Sequence, residues 1–181
     1  MNHDRKEGDR DARARSPGIF DVRRADCGNA QDAAAILALL DSYASDIRGG
    51  GRPLSPAVRE QVIPAIKAHP TACVFLAWRE GEAVGLAICF RGLSTFRAKP
   101  LLNVHDLAVT PAHRGQGIGR ALLAAAESHA KAIGCCKLTL EVLQDNQAAL
   151  GLYRRFGFGD FAAAENPQTT LFLEKEVADA D

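Results

Sequence analysis

Eight consecutive residues carry the clearest chemical signal in this sequence: His113-Arg114-Gly115-Gln116-Gly117-Ile118-Gly119-Arg120. A strand-like apolar run, residues 101–109, ends just before them, and an amphipathic helical segment, residues 117–133, begins inside them. The first N–H groups of a helix lack intrahelical partners and lie at the positive end of its dipole. Glycines let an anion approach such groups closely. The pattern therefore predicts a phosphate site.

The spacing of the glycines excludes two common nucleotide sites. No Lys-Ser or Lys-Thr pair follows the glycines, so the magnesium and γ-phosphate ligands of a P-loop NTPase are missing. A dinucleotide fingerprint would need a third glycine at position 120, where Arg120 stands, and an acidic ribose ligand about twenty residues later. The phosphate site therefore belongs to another class.

The remaining motif, Arg114-x-x-Gly117-x-Gly119, resembles the pyrophosphate signature of the GCN5-related N-acetyltransferase (GNAT) superfamily, Arg/Gln-x-x-Gly-x-Gly/Ala. Residues 107–109, Leu-Ala-Val, stand where that family has its splayed central strand. Asn146 and the run Tyr-Arg-Arg-Phe-Gly-Phe at 153–158 look like its second coenzyme segment. The resemblance covers residues 18–175, with the specific motifs confined to 105–158.

The resemblance implies acetyl-CoA as cosubstrate and no metal. The backbone of the glycine loop would meet the pyrophosphate, and the pantetheine arm would lie as an extra strand along Leu107 and Val109. Tyr153 would protonate the departing thiolate, since a phenol with a pKa of about 10 can serve a thiol of about 8.5. The coenzyme residues so implied are Leu107, Ala108, Val109, Arg114, Gly115, Gln116, Gly117, Ile118, Gly119, Arg120, Asn146 and Tyr153. Read without the resemblance, Asn146 is a helix N-cap and Tyr153 a core aromatic.

An acceptor amine must lose a proton before it attacks, and three residues are candidates for the base. His105 and Asp106 are the nearest ionisable groups, and Glu141 lies on the next strand. Side chains alternate along a strand, so His105 and Asp106 are expected on opposite faces, with one facing the amine. His105 is favoured because a reference pKa of about 6.5 suits neutral pH. A structural role as hydrogen-bonded core groups stays open.

The acceptor itself is not named by the sequence. The matching strand of diamine acetyltransferases carries a Glu-Asp pair, whereas this chain has His105 in place of the first acid. The preceding segment contains Arg91, Arg97 and Lys99, and so much positive charge disfavours a polycationic acceptor. Two other classes of function remain: a non-catalytic acyl-CoA sensor and an interaction module of the same fold.

Composition and charge place the chain among globular proteins and limit its partners. The 181 residues fit one domain, assigned to 18–175, with a disordered tail at 1–17 and a short tail at 176–181. Lysine plus arginine balance aspartate plus glutamate at 22 each, so neither nucleic acid nor membrane is an expected partner. The N-terminus lacks a signal-peptide core, and the five cysteines are typical of reduced core thiols, which favours the cytoplasm. A homodimer is one of the assemblies left open.

The apolar periodicity gives a coarse order of elements. Helices are predicted at residues 29–43, 55–69, 117–133 and 147–156. Strands are predicted at residues 19–22, 72–79, 83–90, 101–109, 138–142 and 169–174, with a loop at 91–100. The three glycines at 49–51 form a linker or a lid. The order predicts an α/β fold of the α+β type, with a mixed sheet covered by helices on both faces. The resemblance adds that the sheet is mostly antiparallel with splayed central strands.

Overall fold

The computed structural model describes residues 20–159. In chain order the elements are β1 (Asp21–Arg24), α1 (Ala30–Ser45), α2 (Pro56–Ala68), β2 (Ala72–Arg79), β3 (Glu82–Ser94), β4 (Lys99–Val109), α3 (Ile118–Ala132), β5 (Leu138–Thr139) and α4 (Gln147–Phe156). The strands form one sheet in the order β1-β2-β3-β4-β5, antiparallel except for the parallel pair β4–β5. The predicted mixed, mostly antiparallel sheet is confirmed.

The chain divides after Glu141 into two compact units, and α4 lies in the second of them. The predicted tails at 1–17 and 176–181 and the predicted strand at 169–174 lie outside the described residues. The assignment of 18–175 to a single domain stays a prediction. Between residues 20 and 159, no helix has the length and apolar character needed to cross a membrane.

Helices α1 and α2 start where their capping residues place them. The Asn29 side chain accepts hydrogen bonds from the N–H groups of Gln31 and Asp32 at the start of α1. Ser55 caps α2 and is followed by a proline in the first helical turn. Pro64 lies inside α2 without ending it, because the helix continues through Ala68. Its remaining hydrogen bonds and its packing on α1 outweigh the one bond that proline cannot donate.

Helices cover both faces of the sheet in the first unit. On one face, α1 and α2 pack on a cluster that includes Ile36, Leu76 and Ile88. On the other face, α3 approaches Gly85, where an added Cβ would lie 3.2 Å from side-chain atoms of both Ile118 and Leu122. The missing side chain at this position allows helix and sheet to pack closely.

The β2–β3 hairpin forms as predicted. Glu80 and Gly81 both have positive φ, 52° and 83°, as a two-residue type I′ turn requires. The predicted loop at 91–100 is wrong, because β3 continues to Ser94 and β4 begins at Lys99. The pattern was misleading because this ribbon is exposed on most of its length and does not alternate apolar with polar side chains.

Strand β5 is shorter than the predicted 138–142. It covers only Leu138–Thr139, and pairs with Leu102 and Asn103 of β4. Beyond that point the two segments no longer pair, although the alternation of side chains continues through Val142. Alternation indicates an extended backbone, whereas strand assignment also needs a hydrogen-bonded neighbour.

Candidate functional site

The glycine loop has the backbone geometry of an anion site. Gly115 and Gly117 adopt left-handed conformations with φ of 74° and 86°, and Gly117 is the N-cap of α3. The first helical hydrogen bond of α3 runs from the Ala121 N–H to the Gly117 carbonyl, so the N–H groups ahead of it point out of the helix start. An added Cβ at either glycine would meet nothing within 4 Å. The space in front of the loop is therefore open to a ligand.

Side chains brace this loop from outside. Arg114 donates from Nε to the Val109 carbonyl at 3.0 Å and from Nη2 to Asp46 Oδ2 at 2.8 Å. Gln116 donates to the Ala112 carbonyl at 3.1 Å and accepts from Arg79 at 2.6 Å. The Arg48 N–H, together with Arg114, holds the pKa of Asp46 below its usual range. The Arg114 guanidinium, predicted to contact pyrophosphate, is therefore bound to a carboxylate in this structure.

One edge of β4 is open beside this loop. Thr110 N–H donates to the Val84 carbonyl, and Val109 lies opposite Gly85. In an antiparallel ladder this register turns the backbone groups of Leu107 and Val109 away from β3. Within residues 20–159, the strand pairing on that other side stops at Asn103. An extended ligand would find main-chain groups that pair with no neighbouring strand here, as the splayed-strand prediction requires.

A β-bulge places the candidate bases on β4. Ile88 pairs with Asp106 and Cys89 with Val104, so His105 is an extra residue on the bulged strand. Its ring contacts the Phe90 ring, with 5.5 Å between centroids, and Phe90 packs on the α1–α2 core cluster. Asp106 faces the same way, since its cross-strand partner Ile88 belongs to that cluster. The expectation that His105 and Asp106 lie on opposite faces is wrong, because the bulge breaks the alternation between them.

The electrostatics of this face distinguish the two candidates. Burial raises the pKa of Asp106, and the neighbouring His105 partly offsets that rise. Burial also raises the pKa of Tyr43, with further contributions from the negative charges of Asp106 and Asp46. The phenol of Tyr43 and the carboxyl of Asp106 therefore share a half-buried environment, and the imidazole of His105 beside them is exposed. Tyr43 was missed in the sequence because only the tertiary fold brings the end of α1 to the bulge.

The third candidate base, Glu141, lies just beyond the end of β5. Each of its carboxylate oxygens accepts from Asn103 Nδ2 at 3.4 Å, and the same amide donates to Thr139 at 3.2 Å. Asn103 pairs with Phe90 in the β3–β4 register. The His69 ring contacts the other side of Phe90, with 4.8 Å between centroids. No local signal in the sequence identified His69, Phe90 or Asn103. They come close to one another only through the pairing of strands in the folded protein.

The second unit contains the remaining two predicted residues. Asn146 caps α4, where its Oδ1 accepts from the Ala149 N–H at 3.2 Å. The Tyr153 ring contacts Phe158, with 5.8 Å between centroids, and α4 ends at Gly157 with a φ of 106°. Asn146 thus has the structural capping role, and its predicted role toward coenzyme stays a prediction, as does that of Tyr153.

The geometry agrees with comparisons to known proteins. The sequence model of the acetyltransferase (GNAT) family matches residues 37–158. The streptothricin acetyltransferase of Streptomyces lavendulae is 46% identical over 57 residues, which cover 32% of this chain and 30% of that protein. The thialysine N-epsilon-acetyltransferase of Bos taurus is 34% identical over 82 residues, or 45% of this chain and 48% of that protein. The chain thus spans less than half the length of these two curated relatives.

A solved structure shares the fold at low sequence identity. AAC(6')-Iy, in complex with the bisubstrate analog CoA-S-monomethyl-acetylneamine, superposes with a TM-score of 0.69 at 16% identity and covers 88% of this chain and 100% of its own. The family model spans well over half of the chain, and it includes the bulged strand, the glycine loop and α4. The chain belongs to the acetyltransferase (GNAT) family.

Proposed function

We propose that this protein transfers the acetyl group of acetyl-CoA directly to a primary amine through a ternary complex. This proposal rests on one observation: the glycine loop, which has the geometry of an anion site, directly follows the open edge of β4. Gly115 and Gly117 open the start of α3, and the backbone groups of Leu107 and Val109 that point away from β3 lie on the strand that leads into it. A pyrophosphate joined to an extended amide-containing arm matches both features.

The coenzyme is held mainly by main-chain groups in this proposal. Residues 114–120 supply the N–H groups for the pyrophosphate, and residues 107–109 supply the edge for the pantetheine arm. Asn146 and Tyr153 complete the coenzyme set by resemblance to the family. No metal is proposed, since the reaction needs only a thioester, a neutral amine and two proton transfers.

The amine is acetylated at the β4 bulge. Its nitrogen forms a bond to the thioester carbonyl carbon, the carbon–sulfur bond breaks, and coenzyme A leaves as a thiolate. His105 accepts the proton of the acceptor amine. The adjacent Asp106 carboxyl orients the ammonium form of that acceptor before the proton leaves. Tyr153 donates a proton to the thiolate, which yields free thiol and a tyrosinate that water reprotonates. Glu141 is the alternative acceptor for the amine proton, through water.

The acceptor is a primary amine on a small molecule, a peptide or a protein. The names of the two curated relatives specify acetylation of streptothricin and of the ε-nitrogen of thialysine, which supports an amine acceptor. We further propose a cytoplasmic protein that acts without nucleic acid or membrane, either as a monomer or as a homodimer. The balanced charge of 22 basic and 22 acidic residues supports the absence of such polyanionic partners.

A thiol-release assay tests this function. Purified protein is mixed with acetyl-CoA and a panel of amines that includes amino acids, diamines, aminoglycosides and a lysine peptide, and free thiol is measured against the same mixture without amine. At least one amine should raise thiol release well above background, with the acetylated amine found by mass spectrometry. Tight acetyl-CoA binding with no thiol release for any amine would instead indicate the non-catalytic sensor.

A further inference from the structure

Arg114 joins two parts of the first unit that lie 68 residues apart in sequence. Its Nη2 donates to Asp46 Oδ2 at 2.8 Å, and its Nε donates to the Val109 carbonyl at 3.0 Å. The Val109 carbonyl belongs to the open edge of β4, where the coenzyme arm is proposed to bind. The guanidinium therefore lies across the end of that edge, held there by a carboxylate from another element.

Asp46 belongs to the segment that follows α1, residues 46–54, here termed the α1–α2 loop. Its carbonyl accepts the Gly49 and Gly51 N–H groups at 2.8 and 3.0 Å, and its Oδ1 accepts the Arg48 N–H at 3.0 Å. The loop packs closely on the end of α1, since an added Cβ at Gly49 would lie 2.0 Å from the Tyr43 carbonyl oxygen. Asp46 thus connects Arg114 to the segment that adjoins Tyr43 and the acceptor face.

This ion pair has a direct consequence for anion binding. The carboxylate neutralises much of the guanidinium charge, and it is itself a negative group beside the proposed phosphate site. A pyrophosphate must either take the guanidinium from Asp46 or bring its own charge close to that carboxylate. Both routes lower the affinity for the anion compared with an Arg114 that had no acidic partner.

We propose that Asp46 is a positioning residue for Arg114 that sets coenzyme affinity and couples coenzyme binding to the α1–α2 loop. Pyrophosphate replaces Asp46 as the partner of Arg114, so the loop loses its tie to the glycine loop when acetyl-CoA binds. This inference rests on the proposed function, because it requires acetyl-CoA at the glycine loop.

Calorimetry with acetyl-CoA on four proteins tests the coupling: wild type, Asp46→Asn, Arg114→Gln and the double variant. Asp46→Asn should lower the Kd about two- to fivefold, the effect expected for one exposed ion pair. The same substitution should have no effect on the Kd in the Arg114→Gln protein, since the partner is gone. A weaker affinity in Asp46→Asn, or an equal change in both backgrounds, would show that Asp46 merely supports the loop.

Asp41 offers a matched control. It also anchors the α1–α2 loop, through the Leu54 N–H at 2.9 Å, and it pairs with Arg59 of α2 at 2.5 Å instead of with Arg114. Asp41→Asn should therefore loosen the loop and leave the acetyl-CoA Kd unchanged. A change in Kd equal to that of Asp46→Asn would assign the effect to the loop and overturn the proposal.

Hydrogen exchange on the wild-type protein and on Asp46→Asn gives an independent test. Acetyl-CoA should speed the exchange of amides 48–52, and Asp46→Asn should show the fast rate without coenzyme. Slower exchange on binding would contradict the proposal, because it would mean that the loop closes. A wild-type protein that does not bind acetyl-CoA would overturn the proposed function and this inference together, whereas binding without coupling would overturn the inference alone.

Discussion

The proposed coenzyme side and the proposed acceptor side of this protein are built in different ways. The coenzyme side is made largely of backbone: two left-handed glycines, a helix start and the free edge of one strand. The acceptor side is made of side chains from separate elements, with Tyr43 on α1, Phe90 on β3, and His105 and Asp106 on β4. The first arrangement suits a constant ligand, whereas the second can change its specificity by substitution.

The backbone character of the coenzyme side is tested most severely at Gly117. Gly117→Asp places a carboxylate at a left-handed position that faces open space, where it would repel the pyrophosphate. The Kd for acetyl-CoA should rise by a factor on the order of 100 or more, measured by calorimetry.

Gly134 provides a matched control at the opposite end of α3. It also has a left-handed φ, 74°, and an added Cβ there meets nothing within 4 Å. Gly134→Asp should impose similar backbone strain and leave acetyl-CoA affinity intact. If both variants lost affinity to the same extent, the loss would reflect strain in α3 instead of a phosphate site.

The two tyrosines separate the coenzyme chemistry from the acceptor chemistry. Tyr153→Phe keeps the aromatic ring and removes the proton donor, so kcat should fall about 100-fold with little change in the Kd for acetyl-CoA. Tyr43→Phe should instead act mainly on the KM for the amine, because Tyr43 is close enough to Asp106 for that charge to raise the pKa of its phenol. Steady-state kinetics for both variants measure the difference, and a near-normal kcat in Tyr153→Phe would return that residue to a packing role.

We expect the base on the acceptor side to control the acidic limb of the profile of kcat/KM against pH. His105→Ala should lower kcat/KM by up to about 100-fold near neutral pH and remove the limb, while Asp106→Asn should retain it. A limb lost only in Asp106→Asn would make Asp106 the base in place of His105. A limb that survived in both variants would mean that the amine arrives neutral or loses its proton through water to Glu141.

The smallest effects concern stability, and they compare a buried carboxyl group, Asp32, with a half-buried one, Asp106. Asp32 pairs with Arg23 and accepts from the Asp26 N–H, and the bond from Arg23 lowers its pKa. Its stabilisation is present above the pKa of the unfolded chain and is lost as pH falls through the folded value. Asp32→Asn should therefore cost about 1–3 kcal/mol at pH 7, and less below about pH 4.

Asp106 should show the opposite dependence on pH. Because burial raises its pKa in the folded protein, its contribution is favourable at low pH and is lost as pH rises through that value. Asp106→Asn should therefore gain stability relative to wild type as pH increases from about 4 to 8. Thermal unfolding of both variants at several pH values measures this, and parallel pH curves would contradict the contrast.

The same contrast explains which parts of the molecule the sequence predicted. The starts of α1, α2 and α3 and the strands on either side of the turn at 80–81 depend on residues close together in the chain, and they were predicted correctly. The bulge at His105 was not, since it is defined by a shift in register against Ile88 and Cys89. Nor was the Asp46–Arg114 pair, because neither residue carries a local sign of its partner.

The close packing of α3 on Gly85 determines how far the helix lies from the sheet on the whole coenzyme side. An added Cβ at Gly85 would lie 3.0 Å from the Ala108 carbonyl oxygen and 3.2 Å from Ile118, the first residue of α3. Even a methyl group there would separate α3 from the sheet, and it would tilt the start of the helix away from the strand. Gly85 thereby sets the distance between strand and helix in a site to which it contributes no ligand.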